Sequence, residues 1–291
     1  MRTAGERVRE RDFRYGDIDT VISVEDVDRE ARALARRVPP SELHELARRQ
    51  PYVKIEGLRA GYGKMEILHD FHLEVARGQS LCLIGPNGAG KSTALHSIFG
   101  FTDLFEGKIL VGEGRDARDI TRLSSNQKLK EAGIAYILQD KSVFPGMTVE
   151  ENLIMGGYLM GGSAEAKRAA ERVLDRYPRL AERRSRPARV LSGGERRLLE
   201  ISRALVMDPE VLLVDEPSIG LEPRFIEMVF GILDDLQHRD GKTIIMVEQN
   251  AKKGLEFADI GYVLVAGELA VAGTGKDLLQ DPEVGRLFLG G

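Results

Sequence analysis

A glycine-rich stretch followed by a lysine and a hydroxyl side chain gives this sequence its clearest candidate for phosphate chemistry. The stretch consists of Gly85, Pro86, Asn87, Gly88, Ala89, Gly90, Lys91 and Ser92. Glycines let a backbone wrap tightly around phosphate oxygens, and the amino end of a following helix adds a favourable dipole. In this pattern Lys91 reaches the β- and γ-phosphates, and the Ser92 hydroxyl binds Mg²⁺. The pattern therefore predicts a nucleoside triphosphate site, to which we also assign Thr93.

Two adjacent carboxylates follow an apolar run further along the chain. Residues 211–214 read Val-Leu-Leu-Val, and Asp215 and Glu216 come directly after them. Ligands of open α/β sheets bind at the carboxyl ends of the strands. Asp215 is therefore placed to hold Mg²⁺, directly or through water. Glu216 can accept a proton from the attacking water.

A second candidate anion site lies at the start of a later helix. Its residues are Ser192, Gly193, Gly194 and Glu195. The helix that follows is amphipathic, with Leu198, Ile201 and Leu205 on one stripe, and its amino end can bind an anion. One nucleotide does not need two such sites in one chain. We therefore predict that two chains meet head to tail, each offering Ser192 and its neighbouring amides to the other's γ-phosphate.

Short apolar runs predict the strands that must position these groups. They cover residues 52–56, 67–75, 80–84, 211–214 and 243–247. The last three are continuous apolar runs, which is typical of parallel strands covered on both faces. Residues 91–99 are predicted to form the helix after the glycine-rich loop. Residues of about 148–207 are largely helical in pattern and predict an α-helical subdomain inserted into an α/β core.

The first 50 residues differ in texture from the rest, and we predict a charged, helical N-terminal extension over 1–50 and a main domain over 51–291. The extension holds 11 Arg and 11 acidic residues. Residues 25–37 predict an amphipathic helix, and Ser41 is a candidate cap for a second helix that runs to Arg49. We expect a solvated appendage that packs loosely on the main domain, with a partner-docking arm as the alternative.

Composition argues against several classes of protein. The 42 basic and 46 acidic side chains give a net charge of −4, whereas nucleic-acid binders usually carry a basic excess. The single cysteine, Cys82, cannot form an internal disulfide and is predicted to be a small core residue. No apolar run approaches the ~18–20 residues that span a bilayer, and the charged N-terminus has no signal-peptide core. A membrane role must therefore come through partners.

The ordered motifs resemble those of ATP-binding-cassette ATPases over residues 52–291. The resemblance rests on residues 85–92, Gln139, the Leu-Ser-Gly-Gly-Glu segment 191–195 and the acidic strand 211–216. It implies a P-loop NTPase core, with a RecA-like parallel sheet, an antiparallel β subdomain and the inserted helical signature subdomain. It also implies that Tyr62 stacks on adenine and that Gln139 senses Mg²⁺ and contacts a membrane partner. Residues 218–222 would cross to the other subunit of the dimer.

Finer features resemble the ATPases of branched-chain amino acid uptake systems. They are residues 177–180, 217–221, 247–251 and 287–291. The resemblance implies an ATP- and Mg²⁺-dependent importer subunit, peripheral on the cytoplasmic face of the inner membrane. Its partners would be a second identical or paralogous ATPase, two permeases and, indirectly, a solute-binding protein. Most cassettes carry a histidine at the switch position, where this chain has Gln249. The catalytic set implied is Glu216, Lys91, Gln139 and Gln249, and the metal set is Ser92, Gln139 and Asp215.

Other functions remain as alternatives at this level. Urea or short-amide importers share much of the pattern. The segment 192–197 would suit an ATPase of lipopolysaccharide export, although Gln249 and Asn250 argue against an exporter. Cassette proteins of DNA repair should carry long heptad repeats or zinc motifs, and neither is present. Translation-associated cassettes have two cassettes per chain, and this chain has one.

Overall fold

The computed structural model describes residues 38–139 and 142–289. Its strands are β1 (Pro51–Tyr62), β2 (Met65–Ala76), β3 (Ser80–Ile84), β4 (Asp103–Val111), β5 (Arg118–Asp119), β6 (Ile134–Ile137), β7 (Val211–Asp215), β8 (Thr243–Val247), β9 (Ile260–Val265) and β10 (Glu268–Thr274). Its α-helices are α1 (Pro40–Leu46), α2 (Lys91–Phe99), α3 (Ser125–Ala132), α4 (Val149–Gly156), α5 (Ser163–Arg176), α6 (Pro178–Ala181), α7 (Gly193–Leu205), α8 (Pro223–His238), α9 (Ala251–Phe257), α10 (Gly275–Gln280) and α11 (Pro282–Phe288). Short 3₁₀ turns cover Gly114–Asp116 and Ala188–Val190.

A six-stranded sheet in the order β10-β9-β3-β8-β7-β6 forms the centre of the fold. All of its neighbouring pairs are parallel except β10 with β9. Both faces of β3 are buried: Leu81 and Leu83 join one hydrophobic cluster, and Cys82 and Ile84 join another. Because neither face meets water, a strand of this kind reads as a continuous apolar run. The predictions for β3, β7 and β8, and for Cys82 as a core residue, are confirmed.

A second, antiparallel sheet in the order β2-β1-β4-β5 packs against one face of the central sheet. The cluster between them contains Val53 and Leu73 from the antiparallel sheet together with Leu81 and Leu213 from the central sheet. Helix α2 is inserted in the same cluster through Leu95. The carboxyl ends of the parallel strands β3 and β7 lie at one edge of the central sheet, so that the glycine-rich loop and the acidic pair meet there.

Residues 148–207 contain helices α4 to α7 and bury a hydrophobic cluster of their own. Asn152 of α4 is fully buried, and its side-chain amide donates to the carbonyls of Phe144, Met147 and Thr148. These bonds fix the segment that enters the helical region. The helical region therefore has its own core and its own polar anchor.

Helix α1 packs closely on the main body, whereas the sequence predicts a loosely packed appendage. Leu43 is 1% exposed, and the Gln79 side chain donates to the Leu46 carbonyl at 3.1 Å. The predicted cap at Ser41 is wrong, because the helix begins one residue earlier at Pro40, whose missing N–H suits the first helical position. The helix predicted over residues 25–37 lies outside the described residues.

Candidate active site

The glycine-rich loop connects the end of β3 at Ile84 with the start of α2 at Lys91. Gly88 and Gly90 have φ values of 82° and 97°, in the left-handed region that favours glycine. At Gly85, with φ 145°, a Cβ would lie 2.1 Å from the carbonyl oxygen of Leu264. Only glycine therefore allows the loop to pass this close to β9.

Lys91 is folded back onto the loop that it follows. Its Nζ donates to the carbonyl oxygens of Gly85 and Pro86, each at 2.8 Å, and the residue is only 8% exposed. Burial lowers the pKa of Lys91, and the charges of Glu216 and Asp215 oppose that effect. The loop thus holds a largely desolvated cation, which can exchange its carbonyl partners for phosphate oxygens.

Ser92 and Asp215 come together as the sequence predicts. The Ser92 hydroxyl donates to Oδ1 of Asp215 at 3.2 Å, and Asp215 is 5% exposed at the end of β7. The other carboxylate oxygen, Oδ2, accepts from the Tyr136 hydroxyl at 2.9 Å. Within residues 38–139 and 142–289 no group of three His, Cys, Asp or Glu side chains could form an all-protein metal cage. One hydroxyl and one carboxylate fit Mg²⁺, which prefers oxygen ligands and usually completes its shell with phosphate oxygens and water.

Glu216 lies beside this pair with an unusual backbone conformation. Its φ is 44°, and its N–H donates to the carbonyl of Val247 at 2.9 Å. Burial raises the pKa of Glu216, the negative charges of Asp215 and Glu248 raise it further, and Lys91 opposes the shift. Gln139, predicted as a metal-sensing residue, donates its side-chain amide to Oε2 of Glu216 at 2.9 Å. The structure therefore places Gln139 against the candidate base.

Glu248 is a buried carboxylate that the sequence reading missed. It connects the loop that contains Ser218 with the segment that follows β8. It is 1% exposed and accepts from the Ser218 hydroxyl at 2.5 Å and from the Asn250 N–H at 3.0 Å. Ser218 belongs to the loop after the acidic pair, and Gln249 follows Glu248 directly with an exposed side chain. The sequence does contain a signal for Glu248: it is an acidic residue directly after an apolar run, which is the pattern that also predicts Asp215.

The signature segment forms a complete capping box at the start of α7. The Ser192 hydroxyl accepts from the Glu195 N–H at 3.3 Å, and the Glu195 carboxylate accepts from the Ser192 N–H at 3.0 Å. These bonds lower the pKa of Glu195. At Gly194 a Cβ would lie 2.1 Å from the ring of Phe225. Glu195 and Gly194 thus shape this helix terminus, at which Ser192 and Gly193 are exposed to solvent.

Arg197 joins helix α7 to two segments of the site that lie elsewhere in the sequence. The residue is 5% exposed; its Nη1 donates to the Leu138 carbonyl at 2.8 Å, and its Nη2 donates to the Asp215 carbonyl at 3.3 Å. Leu138 directly precedes Gln139. One guanidinium therefore joins α7 to the start of the Gln139 loop and to the end of β7, a role that the sequence reading missed.

Tyr62 ends β1 and stands over the helix that follows the glycine-rich loop. Its ring is accessible, with 41% of the residue exposed. Its hydroxyl is 2.5 Å from Nδ1 of His96 in α2, and the two rings are perpendicular with centroids 6.2 Å apart. Burial lowers the pKa of His96. An aromatic face is thus presented beside the phosphate loop, where an adenine could stack on it.

The assembled geometry is that of a nucleotide-binding cassette, and comparison with known families agrees. A family model described as "ABC transporter" matches residues 68–219, a range that contains the glycine-rich loop, the capped helix and the acidic pair. Since this range is more than half of the chain, the protein belongs to the ABC transporter family. The predicted fold class and the predicted class of ATPase are confirmed.

Individual relatives narrow the resemblance. The chain is 40% identical over 230 residues to the high-affinity branched-chain amino acid transport ATP-binding protein BraG of Pseudomonas aeruginosa, covering 79% of this chain and 96% of that protein. It is 38% identical over 233 residues to the probable branched-chain amino acid transport ATP-binding protein LivF of Archaeoglobus fulgidus, covering 80% and 96%. The lipopolysaccharide export system ATP-binding protein LptB of Haemophilus influenzae is 31% identical over 237 residues, covering 81% and 95%. The predicted resemblance to branched-chain amino acid transport ATPases is confirmed.

A solved structure shares the architecture. MJ1267, an ATP-binding cassette of an ABC transporter, superposes with a TM-score of 0.72 at 29% identity, covering 82% of this chain and 99% of MJ1267. Across the part of the chain that the structure describes, no helix combines the length and the apolar character needed to cross a membrane.

Proposed function

We propose that this chain binds and hydrolyses ATP to power an importer of branched-chain amino acids. The observation that carries the catalytic part is the 3.2 Å hydrogen bond between Ser92 of the glycine-rich loop and Asp215, with Glu216 next in the chain. This contact joins the phosphate loop to the carboxylate proposed to bind Mg²⁺, and the candidate base is the next residue in the chain. The names of BraG and LivF support the solute class.

Lys91 and the loop amides bind the phosphates. The Lys91 ammonium leaves the carbonyls of Gly85 and Pro86 and pairs with oxygens of the β- and γ-phosphates. Because the side chain is already largely desolvated, nucleotide binding exchanges carbonyl partners for phosphate oxygens and strips little water from the ammonium group. Tyr62 stacks on the adenine ring, and His96 holds the hydroxyl of Tyr62 in position.

Ser92 and Asp215 are the residues that would hold Mg²⁺, and Gln139 is proposed as the side chain that senses it. When bound, the ion neutralises charge on the β- and γ-phosphates. Ser92 and Asp215 are already within hydrogen-bond distance of one another, so both oxygens face one small volume. Gln139 contacts Glu216, the residue that follows Asp215 in the chain.

Glu216 is the proposed base for the attacking water. It takes a proton as the water oxygen bonds to the γ-phosphorus and the bond from phosphorus to the β-phosphate oxygen breaks, which releases ADP and phosphate. The raised pKa of Glu216 increases its proton affinity relative to a solvated carboxylate. Gln249 cannot act as an acid or base and is proposed to position the γ-phosphate and the water through its amide.

The working unit is proposed to be a head-to-tail dimer, either of this chain or with a paralogous ATPase. Ser192, Gly193, Gly194 and Glu195 of one subunit would then cover the γ-phosphate held by the other. The exposed residues Ser192 and Gly193 at the start of α7 suit such an anion contact. Residues 51–291 would form the cassette and residues 1–50 the extension.

The membrane partners are proposed to be two permeases, with a solute-binding protein acting through them. This subunit would lie peripherally on the cytoplasmic face of the inner membrane. Phe144, Met155 and Tyr158 lie in or beside α4, and each is at least 40% exposed. Exposed apolar side chains of this kind suit a protein contact.

Reconstitution tests the proposal directly. The chain is assembled with its permeases in proteoliposomes, and ATP hydrolysis and uptake of labelled leucine are measured with and without the solute-binding protein. Leucine accumulation that requires ATP is the expected result, and Glu216→Gln is the matched inactive control. ATP-driven accumulation of urea without leucine would transfer the assignment to the urea and short-amide importers. Absence of ATP hydrolysis by the wild-type assembly would refute the catalytic part.

A further inference from the structure

The side chain of Tyr136 makes a contact that its position in an apolar strand does not require. The residue lies in β6, where its neighbours are Ala135 and Ile137, and its hydroxyl donates to Oδ2 of Asp215 at 2.9 Å. Asp215 lies 79 residues further along the chain. A phenylalanine would fill the same apolar space, so the hydroxyl group is the feature that needs an explanation.

The tyrosine ring is held firmly by other aromatic rings. Its centroid is 5.5 Å from that of Phe99, 5.8 Å from that of Phe101 and 5.7 Å from that of His96. A tyrosine hydroxyl is protonated at neutral pH and can therefore donate a hydrogen bond to Asp215. A donor on a rigid ring can fix the direction of its acceptor.

Both oxygens of the Asp215 carboxylate are accounted for. Oδ2 is bound by Tyr136, and Oδ1 accepts from Ser92 at 3.2 Å. The carboxylate plane is thereby set by two donors on different elements. Rotation of the carboxylate would break both bonds, so the oxygen near Ser92 keeps facing the phosphate loop.

We propose that Tyr136 is a positioning residue, which holds one oxygen of Asp215 so that the other faces the Mg²⁺ of the bound nucleotide beside Ser92. This inference rests on the proposed role of Asp215 as a metal-binding residue. Partners that orient a metal-binding side chain typically change metal affinity by 10–100-fold when they are removed. His96 contacts both Tyr136 and Tyr62, so the same group of rings connects the proposed adenine contact, Tyr62, with the proposed metal site.

The test compares Tyr136→Phe with Tyr262→Phe, both in a Glu216→Gln background that prevents turnover. Tyr262 is the matched control, because its buried hydroxyl bonds to the main chain of Glu74 instead of to the site. Binding of a fluorescent ATP analogue is titrated in EDTA and at graded Mg²⁺ concentrations. We expect Tyr136→Phe to keep the affinity in EDTA and to raise the half-saturating Mg²⁺ concentration about 10-fold. Tyr262→Phe should leave that concentration unchanged.

A second measurement separates orientation from general damage. In an Asp215→Asn background, Tyr136→Phe should add no further change in Mg²⁺ dependence, because the two residues act through one bond. An unchanged Mg²⁺ dependence of Tyr136→Phe, or an equal shift in Tyr262→Phe, would overturn the proposal. If the parent protein itself binds the analogue without any Mg²⁺ dependence, the proposed metal site fails and this inference fails with it.

Discussion

The carboxylate of Glu216 accepts from the Gln139 amide and lies near two other carboxylates, those of Asp215 and Glu248. In Glu216→Gln the new amide oxygen can still accept from Gln139, but no base remains. We expect hydrolysis to fall by about 10²–10⁴ while ATP affinity is kept. Phosphate release and equilibrium ATP binding measure the two effects. Turnover near the wild-type rate would show that another group takes the proton.

The pH profile of the wild type provides a further check on Glu216. A base must be ionised, and the raised pKa means that Glu216 becomes protonated at a higher pH than an ordinary carboxyl group. The rate should therefore fall on acidification before solvated glutamates titrate. Glu216→Gln should lack this acidic limb.

Gln249 provides a second prediction at the scale of one side chain. Its exposed amide can orient a phosphate or a water but cannot titrate. Gln249→Ala should therefore slow hydrolysis less than Glu216→Gln does. Gln249→His should remain active and gain a pH dependence near ~6.5, where histidine titrates. Steady-state ATPase rates against pH measure both, and a Gln249→Ala variant as inactive as Glu216→Gln would show that the ranking is wrong.

Sequence reading finds candidates where residues belong to a recognisable motif, whatever the distance to their partner in the chain. The loop residues Lys91 and Ser92, and the adjacent Asp215 and Glu216, belong to short motifs with a fixed order, and the structure brings Ser92 and Asp215 together across 123 residues. Tyr136, by contrast, belongs to no such motif and meets its partner across 79 residues. Glu248 meets Ser218 across 30 residues. Such contacts depend on how strands are ordered in the sheet, and a tyrosine or glutamate in a strand gives no local sign of them.

Helix α7 is anchored to the site through Arg197, and this anchor can be tested. Replacing Arg197 by Met removes the donor to the buried carbonyls of Leu138 and Asp215. An unsatisfied buried group costs about 1–3 kcal/mol, so we expect the free energy of unfolding to fall by about 3 kcal/mol. Urea unfolding measures the change, and Arg196→Met, at an exposed neighbouring position, is the control. Equal stability of the two variants would mean that the anchor is dispensable.

Helix α3 carries a lysine that is fully buried against the end of α2. Lys128 donates to the Ser97 carbonyl at 3.3 Å, and burial lowers its pKa from 10.5 to about 8. Between these values the unfolded chain binds more protons than the folded protein, so wild-type stability rises with pH through that window. Below pH 8 the full cost of burying the charge is present.

Lys128→Met should therefore gain stability relative to the wild type at pH 7, and this gain should shrink by about 2 kcal/mol by pH 10. Urea unfolding at the two pH values measures the difference. Lys130→Met, in the same helix but exposed, should show no such pH dependence. A constant difference between Lys128→Met and wild type would show that the buried amine does not titrate in this window.

The sequence predicts the limits of some elements closely but does not predict others, including the fully buried apolar strand β9. The predicted limits of β3, β8 and α2 agree with the structure. The two strands are buried on both faces and therefore stand out in the sequence as continuous apolar runs. The sequence does not predict strand β4, because most of its residues are exposed and they form no continuous apolar run. β1 runs well beyond its predicted end, because register shifts against β2 break the alternation of buried and exposed positions.

At the scale of the whole molecule, α1 forms part of the body that carries the site. Leu43 and Ala47 are almost fully buried, and Nδ1 of His44 is 2.9 Å from the carboxylate of Glu74 in β2. We therefore expect Leu43→Ala to lower the free energy of unfolding by about 2–4 kcal/mol. The ATPase rate of the folded fraction should be kept, since no residue of the site lies in α1.

A pair of shortened chains extends the same prediction. A chain that begins at residue 51 should be less stable than one that begins at residue 38, because it exposes the surface that α1 covers. Thermal unfolding and ATPase assays compare the two. Equal stability would restore the sequence-based expectation of a loosely packed extension. All of the motifs that identify the site lie after this helix in the chain, so motif-based reading could not evaluate it.

The left-handed backbone at Glu216 has a consequence for anyone who selects variants of this protein. A non-glycine residue at φ 44° is disfavoured by about 1–2 kcal/mol relative to the ordinary helical region, and glycine is not. A library screened for heat resistance alone will therefore enrich glycine at position 216 and lose the proposed base. Selection has to include ATP turnover in every round, because resistance to heat and catalysis favour different residues at this one position.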